Sequence, residues 1–138
     1  MQPDETLAMI ADHMERGFLE NIIDMMKHDR GLLGLLPALI ADERGRVRLG
    51  TVAVVEALVE SCAEEILAQA PAVLRALGDE NPTVRADAAY LLCTMGARDA
   101  LPYLEEARDR ETVQPVREAL EETIQEMKGG PGPGPDPL

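Results

Sequence analysis

The chain has 138 residues and an acidic balance, with 26 Asp and Glu against 13 Lys and Arg and a formal net charge of −13. Its only aromatic side chains are Phe18, Tyr90 and Tyr103. A duplex-binding protein needs a basic face and a single-strand binder needs aromatic platforms, so this composition argues against nucleic acid as the partner.

Targeting and membrane signals are weak in this sequence. The first thirty residues carry seven acids, which is unlike a signal or transit peptide. The longest stretch without a charged side chain is residues 31–41, about half of the roughly 20 residues that a membrane span needs. We therefore expect a cytoplasmic protein that does not bind membranes. Cys62 and Cys93 lie in apolar helical patterns and are expected to be buried free thiols.

The N-terminal stretch has helical periodicity. Pro3 and Asp4 are expected to begin a helix, and Gly17 is a candidate break between two helices. Apolar side chains recur at intervals of three and four through residues 7–26, and a second apolar set widens the same face. Residues 1–29 are therefore predicted to form a helical cap. A homodimer through these apolar helices is the alternative use of that broad face.

Helices are also predicted in the rest of the chain, because no segment alternates in polarity long enough to indicate a strand. They cover approximately residues 32–40, 47–59, 63–77, 83–95, 99–108 and 113–128. Asn81 is expected to cap the helix that Pro82 opens, and Gly96 to end it. Residues 129–138 are rich in Gly and Pro and are predicted to be a disordered tail.

Three landmarks recur in one order between residues 30 and 128. A proline lies in each first helix, an aspartate in each turn and a Val-Arg pair at the start of each second helix: Pro37, Asp42 and Val47–Arg48; Pro71, Asp79 and Val84–Arg85; Pro102, Asp109 and Val116–Arg117. A two-helix unit of about thirty residues cannot bury its apolar face alone, so stacked copies are predicted to share one core. The units are placed at about 30–62, 63–96 and 97–128. Each turn aspartate is expected to cap N–H groups or to pair with an arginine.

The segment from Asp79 to Leu92, which reads DENPTVRADAAYLL, resembles a HEAT repeat and, more narrowly, the HEAT-like repeats of the phycobilisome-lyase type. Residues 96–104 resemble that family's link between repeats, and the resemblance extends over residues 31–128. The first copy departs at Gly50 and Thr51, and the third has a longer turn at residues 112–115. The resemblance implies an all-α, right-handed α-α superhelix of antiparallel helix pairs whose second helices line the inner surface. It implies little about chemistry, because the family includes scaffolds, adaptors and cofactor-assembly factors.

Catalytic and metal-binding motifs are missing from the sequence. The two histidines and two cysteines lack zinc-ligand spacing, and Asp24 with His28 is interpreted as a solvent-facing pair. Neither a nucleophile elbow nor a phosphate-binding glycine loop occurs. We therefore predict that the protein is not an enzyme and uses neither a cofactor nor a metal.

Candidate interaction residues lie on the second helix of the central repeat. Tyr90 is one of the few aromatic side chains, and aromatic residues are enriched in binding hot spots. Asp87 and Thr94 are expected to share its helix face. A packed contact between repeats is the alternative role for Tyr90.

Charged candidates extend this surface to the neighbouring repeats. Arg48, Arg85 and Arg117 are interpreted as structural arginines, with a row of anion-binding guanidinium groups as the alternative. Glu118 and Glu122 share a face of the last helix, which is interpreted as a solvated cap or as an acidic patch for a basic partner.

Together these patterns predict a non-catalytic scaffold or adaptor that docks a protein partner, with a basic patch on that partner as the complement to its acidic rims. The alternative function is a lyase-like or chaperone-like accessory factor in attaching a cofactor or chromophore to a partner protein. That alternative requires a ligand-sized pocket near Tyr90 or the cysteines, together with an exposed thiol.

Overall fold

The computed structural model describes residues 3–129, and the regular structure within that range is helical, with no strand. Nine α-helices follow one another there: α1 (Pro3–Glu15), α2 (Leu19–His28), α3 (Leu36–Ile40), α4 (Gly45–Leu58), α5 (Ala63–Leu67), α6 (Ala70–Val73), α7 (Pro82–Thr94), α8 (Leu101–Arg110) and α9 (Gln114–Met127). Short 3₁₀ helices cover Arg30–Leu35, Leu74–Gly78 and Arg98–Ala100. The predicted all-α fold class is confirmed. The predicted disordered tail lies, apart from Gly129, outside the described residues.

The N-terminal helices α1 and α2 form a hairpin that turns at Gly17. Its φ of 91° is a left-handed conformation that glycine adopts without steric cost. The N–H groups of Gly17 and Phe18 donate to the carbonyls of Met14 and His13, which satisfies the end of α1. The predicted break at Gly17 is confirmed.

Each first helix is interrupted just before its proline. Pro37, Pro71 and Pro102 each occupy the second residue of a helix, in α3, α6 and α8. Proline has no N–H, so the carbonyl four residues earlier loses its helical partner. The prediction of one continuous helix over about 63–77 is therefore wrong, because α5 ends at Leu67, four residues before Pro71.

The second helices α4, α7 and α9 are the long, regular elements of the repeats. Asn81 caps α7 as predicted, because its side-chain oxygen accepts the N–H of Thr83 at 2.9 Å. Gly96 ends the same helix with a φ of 77°, and the N–H of Ala97 donates back to the carbonyl of Leu92. The predicted end of this helix is also confirmed.

The helices stack in sequence order around one continuous apolar core. Helices α1 and α2 pack on α4, α4 packs on α7, and α7 packs on α9. Each second helix contributes fully or almost fully buried side chains to this core, including Val54, Leu91, Leu92 and Ile124. The arrangement is an all-α solenoid in which each layer contacts mainly its neighbours.

The first repeat has Gly50 where alanine is usual, and the close packing of the N-terminal hairpin on α4 explains this difference. A Cβ atom at this position would lie 3.3 Å from Sδ of Met14 and 3.5 Å from Cδ1 of Leu19. The missing side chain lets the N-terminal hairpin approach α4 closely.

Candidate protein-interaction site

Arg48 joins the first repeat to the second. Its Nε donates to Oδ2 of Asp87 on α7 at 2.7 Å, and its Nη2 donates to Oγ1 of Thr83 at 3.0 Å. Its Nη1 donates to the backbone carbonyl of Asp42 at 2.7 Å. Arg48 is only 6% exposed, so it and half-buried Asp87 are engaged with each other between the helices.

Arg85 joins the second repeat to the third. Its Nε and Nη2 donate to the two carboxylate oxygens of Glu111, each at 2.8 Å. Its Nη1 donates to the backbone carbonyl of Asp79 at 2.8 Å. The Arg85 guanidinium holds the pKa of buried Glu111 below its usual range, and the Glu111 carboxylate raises the pKa of Arg85.

Glu111 was missed by sequence reasoning, and it corrects one of the repeat landmarks. Asp42, Asp79 and Glu111 each accept the N–H of the residue two positions later, at 2.8, 2.8 and 3.1 Å. Asp109, the predicted turn acid, is 65% exposed and pairs with adjacent Arg108. The signal was present in the spacing, because Asp42, Asp79 and Glu111 each lie five residues before the valine of a Val-Arg pair.

Arg117 holds the third position in the row of arginines. It is exposed and makes no ion pair with any side chain of residues 3–129. The other two guanidinium groups of that row already bind carboxylates of the next repeat, so two of the three are not open to an external anion.

A row of exposed or half-buried side chains lies at matching positions of the three second helices, counted from the Val-Arg pairs. We call this row the second-helix stripe: Leu49, Ala53 and Glu56 on α4; Ala86, Tyr90 and Cys93 on α7; Glu118, Glu122 and Gln125 on α9. These positions lie roughly opposite the buried valines on each helix. The stripe changes along the stack from largely apolar to acidic.

The central side chain of the stripe is Tyr90, which is 43% exposed. Leu49 on the preceding second helix is 68% exposed. On the following helix Glu122 is exposed and forms no ion pair with residues 3–129, while Glu118 accepts a hydrogen bond from Gln114 at 3.1 Å. Thr94 uses its hydroxyl within α7, where it donates to the carbonyl of Tyr90 at 2.9 Å.

The two thiols differ in accessibility. Cys62 is fully buried and Cys93 is half-buried. Burial, reinforced by the nearby carboxylate of Glu126, raises the pKa of the Cys93 thiol.

Within residues 3–129, no group of three or more His, Cys, Asp or Glu residues is arranged to hold a metal ion. Asp24 and His28 form an exposed pair 3.5 Å apart, as the sequence predicted.

A groove of about 350 Å³ lies between the first helices of the second and third repeats. We call it the first-helix groove. Its lining includes Leu67, Pro71 and Leu74 on one side, Tyr103 on the other, and Ala97 and Arg98 between them. Neither cysteine and no residue of the second-helix stripe lines it.

Comparison with known proteins identifies the class to which this stack belongs. A family model described as HEAT repeats matches residues 32–125. The chain therefore belongs to the HEAT repeat family, whose members commonly serve as protein-interaction scaffolds and are typically non-enzymatic. No curated protein matches the chain, and no solved structure matches it. Across residues 3–129, no helix combines the length and apolar character needed to cross a bilayer.

Proposed function

We propose that this protein is a non-catalytic scaffold or adaptor that binds a partner protein through the second-helix stripe. The observation that carries the proposal is the aligned row of exposed side chains on α4, α7 and α9, with Tyr90 at its centre. Membership of the HEAT repeat family supports it, because stacked repeats present extended binding surfaces and the second helices are expected to line the concave one.

The partner's chemistry follows from the gradient along the stripe. Leu49 and Ala53 offer apolar contact at one end, and Glu118 and Glu122 offer negative charge at the other. A helical or extended segment with apolar side chains at one end and Lys or Arg at the other would complement this gradient. The acidic end steers the encounter, and contacts with Tyr90 supply most of the affinity.

Of the seven candidate residues, Tyr90, Glu118 and Glu122 carry this proposal. The guanidinium groups of Arg48 and Arg85 form ion pairs with Asp87 and Glu111, so the contribution of these arginines is to hold neighbouring repeats in register. Thr94 lies beside Tyr90 and shapes the edge of the contact.

The other functional hypotheses receive less support from the geometry. An accessory factor in cofactor attachment needs a reactive thiol, yet Cys62 is fully buried and the pKa of Cys93 is raised. A dimer through the N-terminal hairpin needs a free apolar face, yet Ile10, Ile22 and Met26 are fully buried within the chain, and what remains there is half-buried apolar side chains and exposed Phe18. Both hypotheses, the narrower resemblance to the phycobilisome-lyase type and the cytoplasmic location remain predictions.

Selection of binding peptides from a random displayed library, with the full chain as bait, tests the proposal. We expect selected peptides to combine apolar residues with Lys or Arg. Their affinity should fall several-fold in the Glu118→Gln/Glu122→Gln variant and should weaken with added salt. The matched control is Glu64→Gln/Glu106→Gln, which removes two exposed acids from first helices. Equal losses in both variants would contradict a site on the second helices.

A further inference from the structure

The first-helix groove combines apolar walls with an exposed aromatic side chain. Tyr103 is 54% exposed and Leu67 is 45% exposed, although both line a concave site. Ala97 and Ala100, also among its lining residues, are only 4% and 3% exposed and form part of the core. The groove is therefore a firm apolar surface that the described part of the chain leaves uncovered.

The chain leaves the described structure close to this groove. Nζ of Lys128 lies 3.2 Å from Oε2 of Glu105, which places the end of α9 against α8. Glu105 is two residues from Tyr103 on α8, and the two side chains point to roughly opposite sides of that helix. To reach the groove from its exit, the chain must therefore pass around α8, and half the circumference of a helix 10–12 Å across is about 16–19 Å.

Residues 130–138 are long enough to cover that distance. They read GPGPGPDPL. Nine residues in a polyproline II conformation span about 28 Å, at about 3.1 Å per residue. The proline-containing second half of the segment can therefore reach Tyr103 after passing α8.

The chemistry of the segment also fits the groove. Proline alternates with other residues at positions 131, 133, 135 and 137. Proline-rich segments dock into aromatic-lined grooves because their extended conformation costs little entropy on binding. The only charged side chain among residues 130–138 is Asp136. Arg98 and the neighbouring Asp99 both line the groove, and neither makes an ion pair with another side chain of residues 3–129, so Arg98 is the lining residue that Asp136 can pair with.

We propose that the first-helix groove binds the Gly/Pro-rich segment of residues 130–138 of the same chain. The sequence predicts disorder for this segment because its Gly- and Pro-rich composition offers little apolar side chain for a core, and the groove supplies the apolar surface it lacks. Attachment at Gly129 gives the segment an effective concentration near the groove in the millimolar range, so weak intrinsic affinity is sufficient. The contact is separate from the second-helix stripe.

Methyl NMR spectra of the full chain and of a chain ending at Gly129 provide the test. We expect the methyl signals of Leu67, Leu74 and Ala97 to differ between the two chains, while those of Val54 on α4 coincide. A synthetic peptide of residues 130–138, added to the shortened chain, should move the groove signals towards their positions in the full chain. Half-saturation is expected at or below about 1 mM.

Three variants, one in the full chain and two in the shortened chain, separate the chemistry of the contact from a general effect of the segment. Replacing Pro133, Pro135 and Pro137 with serine keeps the length and should shift the groove signals towards those of the shortened chain. In the shortened chain, Tyr103→Ala should abolish the peptide-induced shifts, whereas Tyr90→Ala, which removes the other exposed tyrosine, should leave them intact. Circular dichroism checks that each variant remains helical.

Three results would overturn the proposal. One is identical groove signals in the full and shortened chains. Another is failure of the peptide to move them at millimolar concentration. The third is a difference between the two chains that disappears on dilution, because that would assign the groove to the segment of a second copy.

Discussion

Each of the two junctions between repeats is joined by an arginine and an acid of the next repeat, but the acid lies on a helix at one junction and in a turn at the other. At the first junction, Arg48 pairs with Asp87 on the neighbouring second helix, and the Asp87 side chain keeps 34% of its surface exposed. At the second, Arg85 pairs with Glu111 in the turn before α9, and the Glu111 side chain is only 4% exposed. Both arginines also bind the carbonyl of the turn aspartate in their own repeat. The arginine position is thus constant along the stack, while its acidic partner varies.

At the second junction, a single carboxylate makes both the ion pair between repeats and the hydrogen bond that orders the turn. Glu111 binds Arg85 through both oxygens and also accepts the N–H of Val113, so it orders the turn and joins the repeats. At the first junction these tasks are divided, because Asp42 orders the turn and Asp87 pairs with Arg48. The second junction should therefore be the more sensitive to a single substitution.

Glu111→Ala is expected to have the largest effect on stability. It leaves the largely buried Arg85 without its partner and removes the acceptor for the N–H of Val113. We expect the free energy of unfolding, measured with urea, to fall by about 3 kcal/mol. Asp109→Ala is the control, and it should change this free energy by less than about 0.5 kcal/mol because Asp109 is 65% exposed. Similar losses in the two variants would contradict the assignment of Glu111 as the turn acid.

Arg48→Ala should cost less, about 2 kcal/mol of unfolding free energy, because the Asp87 that it leaves behind can be solvated. Arg117→Ala changes the same repeat position where no ion pair is made with residues 3–129, and it should be nearly neutral. Thermal or urea unfolding of the two variants measures the contrast. If Arg117→Ala proved as costly as Arg48→Ala, the pairing seen at the first junction would not explain the stability of the stack.

The pH dependence of the second junction follows from the lowered pKa of Glu111. A carboxyl whose pKa is lower in the folded chain adds stability above its ordinary pKa and loses it as the pH falls through the lowered value. The stability difference between the native chain and Glu111→Gln should thus be constant near neutral pH and shrink below about pH 4.5, the ordinary pKa. Urea unfolding of both chains over this range is the measurement. A difference that stayed constant at acidic pH would contradict the ion pair.

Two glycine substitutions should give the smallest effects, with opposite signs. Gly50→Ala removes a glycine from inside α4 and should stabilise the fold by up to about 0.5 kcal/mol, because the flexible Met14 side chain can move away from the new Cβ. Gly96→Ala should destabilise it by about 1 kcal/mol, because its φ of 77° is unfavourable for other residues. Melting temperatures of the two variants compare them directly. A loss at Gly50 would mean that the hairpin contact with α4 cannot adjust.

The repeats could be predicted from the sequence because their landmarks are local signals, each of which acts over a few residues. The Val-Arg pairs, the prolines in the first helices and the Asn81-Pro82 cap are such signals, and they lie in the helices and turns where the structure has them. The broken first helix at Pro71 was also readable, because the missing N–H affects the carbonyl of Leu67 whatever the tertiary context.

The candidate site depended on contacts that no local pattern encodes. Arg48 and Asp87 are 39 positions apart, and their pairing follows from how α4 packs on α7. Glu111 was not predicted as the turn acid because nearby Asp109 has the residue type found in the other two turns. Asp109 lies seven residues before Val116, however, whereas the turn acids of all three repeats lie five residues before their valine. Exposure of Tyr90 rather than burial between repeats could not be read from its helical position alone.

Binding affinities of a library-selected peptide for two tyrosine variants test the central claim most directly. Tyr90→Ala removes the centre of the second-helix stripe, and Tyr103→Ala removes an equally large exposed ring from a first helix. The account predicts at least a tenfold weaker affinity for Tyr90→Ala, which corresponds to about 1.4 kcal/mol, and less than a twofold change for Tyr103→Ala, with both variants folded. Unchanged affinity in Tyr90→Ala, or an equal loss in both variants, would contradict binding through the second-helix stripe.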